Sequence, residues 1–182
     1  MKVIFDFSLI LVLFFSTLAL QSSGDSPYVL PKYFHKTEKW IKEENVRRSM
    51  ATYNPNSFDT TSITGALAVI RKEKKLSTFL GVKAWCIKNY QVSFPYLVQM
   101  LTDTSVVGLT NTNDLIIPGR TTRFDGQGPV VKEDLFRVSG RASFILNQLT
   151  GESFAIVTSK TSYSELVRFQ QLWRDWISRL PR

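Results

Sequence analysis

The chain offers few of the side chains that enzymes use to make and break bonds. Its 182 residues hold one histidine, His35, and one cysteine, Cys86. A Ser–His or Cys–His relay needs a histidine within hydrogen-bond reach of the nucleophile. His35 stands in a lead-in with Pro27, Pro31 and several aromatics, apart from the main apolar segments. No Gly-x-Ser-x-Gly elbow and no Ser-x-x-Lys dyad occurs. The phosphate loop Gly-x-x-x-x-Gly-Lys-Ser/Thr and the dinucleotide turn Gly-x-Gly-x-x-Gly are missing too, and Gly126-Gln127-Gly128 is too short to replace either. One cysteine and one histidine furnish neither a zinc site nor an intramolecular disulfide. Asn111-Thr112-Asn113-Asp114 only begins the alternating oxygen ligands of a calcium loop, and a polar turn describes it better. An acid–base mechanism would have to draw on loop carboxylates such as Asp114 and Asp125, for which solvation is the simpler account. The expectation is a protein that is not an enzyme, holds no metal and needs no cofactor.

Binding chemistry is better represented. Residues Thr104 to Val131 contain Gly108, Gly119, Gly126 and Gly128 with Pro118 and Pro129, so no helix runs through them. Irregular stretches of this length inside compact domains are uncommon, and they are usually functional or mobile. Leu115-Ile116-Ile117 and Thr121 to Phe124 suit a small hairpin turning about Pro118-Gly119. Arg120 and Arg123 would flank the turn, with Asp114 and Asp125 nearby and Ile116, Ile117 and Phe124 between them. Arginine beside exposed apolar groups is the usual make-up of a contact hot spot, so these seven residues are the expected site for a protein partner. The competing arrangement folds the apolar groups back onto the body and pairs the arginines with the aspartates.

A formal net charge of +8 adds a second binding surface. Lys36, Lys39, Lys42, Arg47 and Arg48, or the run Arg71 to Lys75, would suit an anionic envelope lipid or polymer. Glu38, Glu43, Glu44 and Glu73 interleave with these bases, which favours a face that mainly keeps the protein soluble. Nucleic acid is disfavoured, because there is no RNP-type strand and no zinc finger.

Helices must position these groups. Thr37 to Met50 is rich in helix formers, and Asn54-Pro55-Asn56 ends that segment. Ile63, Ala66, Leu67 and Ile70 recur at helical spacing before a charged break at Arg71 to Lys75. Leu76, Phe79, Leu80 and Ile87, with Ala84 and Cys86 beside them, mark the next face, on which Cys86 serves as a small core hydrophobe. Phe94 to Asp103 would follow, with Pro95 in its first turn and Leu97, Met100 and Leu101 as its stripe. A helix is expected over about Lys132 to Thr150 from Leu135, Val138, Ala142, Ile145, Leu146 and Leu149, stopped by Gly151. The last helix starts near Ser162, where Glu165 completes a capping box, and buries Leu166, Phe169, Leu172, Trp173, Trp176, Ile177 and Leu180. Trp173 and Trp176 therefore read as core anchors rather than a ligand platform, with Arg168, Arg174 and Arg179 left in solvent.

The N-terminus carries a targeting pattern. Lys2 precedes an apolar run from Phe7 to Leu20, and small residues suit cleavage after Ala19 or after Gly24. An uncleaved membrane anchor over Val3 to Leu20 is the alternative, although Asp6 interrupts it and the run is short for a span. Export with removal of residues 1–24 is the expectation. The single cysteine and the lack of an Asn-x-Ser/Thr sequon suit a bacterial periplasm or extracellular space.

The run FPYLVQMLTD resembles the inner helix of a HEAT-type (armadillo-type) repeat. The stretch DLFRVSGRASFILNQLTGESF at 134–154, followed by WRDWI at 173–177, resembles the C-terminal part of small exported bacterial proteins with HEAT-like repeats. The likeness covers about residues 62–180, although no fixed period recurs and the long insertion stands where repeat helices would join by a short turn. It implies an all-α, short HEAT-like stack of about five or six helices that holds a partner, with residues 25–60 as an N-terminal segment, 61–182 as the helical domain and 104–131 as its insertion. Such families share no catalytic residues to transfer.

Overall fold

The computed structural model describes residues 62–110 and 130–180. The targeting segment 1–24, the helix expected at Thr37 to Met50 and the hairpin expected at 115–124 lie outside the described residues. The described part is all-α: α1 (Ile63–Lys72), α2 (Leu76–Lys88), α3 (Tyr90–Met100), α4 (Val138–Thr150) and α5 (Tyr163–Ser178). Among the described residues there is no strand beyond isolated bridges, and no helix long and apolar enough to cross a membrane.

Each helix forms where its apolar period meets a stop signal. In α1, the Ser62 side chain accepts from Gly65 N at 3.1 Å, and Ala66, Leu67 and Ile70 are buried. α2 buries Leu76, Phe79, Val82, Cys86 and Ile87. Burial pushes the Cys86 thiol up to about 12, so it packs as a small hydrophobe and carries no thiolate at neutral pH. One residue, Asn89, separates α2 from α3, and its amide side chain donates to Trp85 O at 2.9 Å. α3 thus starts at Tyr90, four residues before the expected Phe94, and Pro95 lies inside it. The apolar pattern did not extend there because the first turn leaves Val92 exposed. Ser93 fastens that turn instead, donating to Cys86 O at 2.7 Å.

α4 starts at Val138, later than the expected Lys132. Residues 132–137 bend and turn instead of continuing the helix: Asp134 N donates to Val157 O at 2.8 Å, Asp134 O accepts from Arg137 N at 3.1 Å, and Asp134 Oδ1 accepts from Phe136 N at 3.2 Å. Leu135 is buried from outside the helix. Gly140 lies against this segment so closely that a Cβ there would overlap the carbonyl oxygen of Asp134. At the other end Gly151, in the left-handed conformation at φ 71°, stops α4 as its position predicts.

α5 has the expected capping box between Ser162 and Glu165. Its buried side packs on α3 through rings: Phe94 meets Trp173 edge-on at 5.8 Å and stacks on Trp176 at 6.2 Å. Trp173 is fully buried and Trp176 half-buried, which makes both core anchors. Arg168 and Arg179 are exposed, and Arg174 is half-buried. The core draws on all five helices, α5 contributing Leu166, Phe169, Trp173 and Ile177, with Leu135, Ala155 and Val157 from the segments between helices.

Candidate functional site

Asp114, Ile116, Ile117, Arg120, Arg123, Phe124 and Asp125 all lie outside the described residues. The structure does show how the segment that carries them leaves the helical body and re-enters it. The outgoing arm, 104–110, and the returning arm, 130–137, run side by side, bridged antiparallel at Val106 and Arg137. Val107 N and Gly108 N both donate to Phe136 O, at 2.8 and 3.2 Å. Gly108 takes φ 81°, a conformation that favours glycine and turns the chain toward α1. Thr110 then lies parallel to Lys75: its N donates to Lys74 O at 2.7 Å, its Oγ1 reaches the same oxygen at 3.2 Å, and its carbonyl accepts from Leu76 N at 3.2 Å. The outgoing arm is therefore fixed to the turn between α1 and α2.

Arg141 holds this base together from inside. It is fully buried in the first turns of α4. Its Nε donates to Leu135 O at 2.8 Å, one terminal nitrogen donates to Ile70 O and Glu73 O at 2.9 and 2.7 Å, and the other donates to Gly108 O at 2.8 Å. One guanidinium thus joins the end of α1, the outgoing arm and the returning arm, using the fork of donors that only arginine presents. Its plane lies over the Phe79 ring at 4.9 Å, Phe79 meets Phe144 at 6.3 Å, and Lys83 lies over Phe144 at 5.3 Å. Burial lowers its pKa to about 10, partly offset by Glu73, so the group remains charged at neutral pH.

The surface of this edge is basic, and its acids are turned to internal work. Glu73 Oε1 accepts from Lys75 N at 2.7 Å at the start of α2. Asp103 accepts from Ser105 N at 3.1 Å and from Arg71 Nε at 3.5 Å. Burial raises the Asp103 pKa, but the Ser105 and Arg71 contacts outweigh it and the net shift is downward. On the returning arm, Glu133 accepts from the buried Asn147 at 2.7 Å, and Asp134 pairs with Arg137 at 3.5 Å. Lys72, Lys74 and Lys75 are exposed, and none forms an ion pair among the described residues. Glu73, one of the acids that interleave with these bases in sequence, spends its side chain on the backbone of Lys75. The other basic candidates, Lys36, Lys39, Lys42, Arg47 and Arg48, lie outside the described residues.

Among the described residues no three His, Cys, Asp or Glu side chains converge as a metal site. The features this edge does present are a fixed base for a long segment and, among the described residues, three exposed lysines without an ion pair. No family model, curated protein or solved structure matches the chain.

Proposed function

We propose that the chain is an exported, non-enzymatic helical scaffold of the HEAT-like kind that binds a protein partner through the 104–131 insertion. One observation carries this reading. The buried Arg141 ties both arms of the insertion to the end of α1, so the body offers a preorganised platform for the segment between them. Within that segment Asp114, Ile116, Ile117, Arg120, Arg123, Phe124 and Asp125 are the proposed contact residues. Export rests on the apolar run at 7–20 and the small residues after it.

The test uses the chain as bait for an envelope extract, beside an Arg120→Ala/Arg123→Ala variant, with low-salt and high-salt washes. A protein held at high salt by the intact chain and lost by the variant is the expected result. Capture of only anionic lipid or polymer, released by salt and indifferent to those arginines, would overturn the proposal.

A further inference from the structure

The run Arg71 to Lys75 has a ready structural explanation, which the geometry removes. Bases in the last turn of a helix normally complement the negative end of its dipole and meet its unpaired carbonyls. Here Arg141 already donates to the carbonyls of Ile70 and Glu73 from within the core. The lysines are surplus to that task, and adjacent like charges at Lys72, Lys74 and Lys75 repel one another. Arg71 is engaged by Asp103, and Glu73 by the backbone of Lys75. Among the described residues three exposed ammonium groups are left without a partner, at the turn to which Thr110 is anchored.

From this we infer that Lys72, Lys74 and Lys75 bind an acidic segment of the protein partner, a stretch of Asp or Glu side chains, beside the base of the insertion. The arrangement suits such a segment better than a membrane. Sites that hold anionic lipid by charge alone gather roughly four to eight bases, each adding about fivefold to binding, and three fall short of that. Among the described residues no large aromatic or leucine is exposed beside these lysines to insert into a bilayer, Val106 being the exposed apolar residue of the outgoing arm. A protein segment needs no such anchor, because complementary charge alone supplies register and speed of association.

The probe is a fluorescent peptide of alternating acidic and small residues, with a Gln/Asn version as its control, read by anisotropy against the purified chain. The expected result is salt-sensitive binding of the acidic peptide alone. It should weaken about tenfold or more in Lys72→Gln/Lys74→Gln/Lys75→Gln, three exposed contacts of modest size acting together. Lys88→Gln, at the far end of α2 about 20 Å away, should leave it unchanged. Charge reversal by Lys74→Glu/Lys75→Glu should abolish acidic-peptide binding and admit a lysine peptide. Far-UV circular dichroism confirms that each variant folds. Failure to bind the acidic peptide, equal binding by the triple variant, an equal loss in Lys88→Gln, or recruitment of phosphatidylglycerol vesicles in place of the peptide would each overturn the inference. It rests on the protein-docking reading, yet the two fail separately. Capture that ignores Arg120 and Arg123 sinks the docking reading, whereas peptide binding that ignores the three lysines sinks only this one.

Discussion

Replacing Arg141 by Met keeps much of the side chain's volume and removes every donor. The structure gives four carbonyl acceptors to account for: Leu135 and Ile70, whose bonds are buried, and Glu73 and Gly108, whose bonds are partly buried. The partly buried pair rehydrates at small cost, while each fully buried carbonyl left without a donor costs about 1–3 kcal/mol. The cation–π contact with Phe79 adds roughly 1 kcal/mol. Relief from burying a charge works the other way and returns part of the total. The expected net loss is about 3–5 kcal/mol, a large share of the 5–15 kcal/mol typical of a domain. Arg141→Lys should lie between the two, since one ammonium cannot span carbonyls on three separate chain segments. Urea unfolding followed by tryptophan fluorescence measures this directly, with the slope checked for two-state behaviour. An Arg141→Met chain within about 0.5 kcal/mol of the parent would refute the reasoning, because the charge's desolvation would then cancel its hydrogen bonds.

Two further outcomes follow from the same edge. Gly140→Ala places a methyl on the Asp134 carbonyl, and because both partners are backbone the helix must shift; a loss of about 3 kcal/mol in the unfolding free energy from urea titration is expected, where an ordinary Gly→Ala change inside a helix stabilises. The Asp103 pKa is lowered in the folded chain, so its contribution to stability is complete above the unfolded value of about 4 and disappears as pH falls through the folded value. Asp103→Asn should therefore be less stable than the parent near neutral pH and equal to it in acid. A difference that persists unchanged at low pH would remove the carboxylate's charge from the account.

The apolar stripes and stop signals were legible because they act locally. Ala66 and Ile70, the Ser162–Glu165 box and Gly151 need only their own helices to be understood. The starts of α3 and α4 were not, since both are decided by partners distant in sequence or by a side chain turned back on the preceding helix. Ser93 bonds the carbonyl of Cys86, and Asp134 is held by Val157. The role of Arg141 had left a trace. It lies three residues after Val138 and four before Ile145, on the buried stripe of its own helix, where a charge demands an internal partner. The candidate site divides the same way: composition marked the insertion and the basic run, but the direction in which Glu73 and Asp103 point is set by folding.

An arginine at this place is also the reason that the fold tolerates two irregular arms beside α4. A buried charge is a poor source of stability compared with a well-packed apolar side chain. Two repeat helices joined by a short turn would bring few unpaired carbonyls into the core, and leucine would serve at such a position. Here α1 ends and two irregular arms pass beneath α4 together, delivering carbonyls from Ile70, Glu73, Gly108 and Leu135 to one point. Backbone acceptors brought together without water need donors, and among the side chains only a guanidinium carries enough of them in a fixed fork. The buried charge and the two irregular arms are thus one structural decision. Because Arg141 satisfies the end of α1 from inside, it also releases the surface lysines of the adjoining turn for contact with something else.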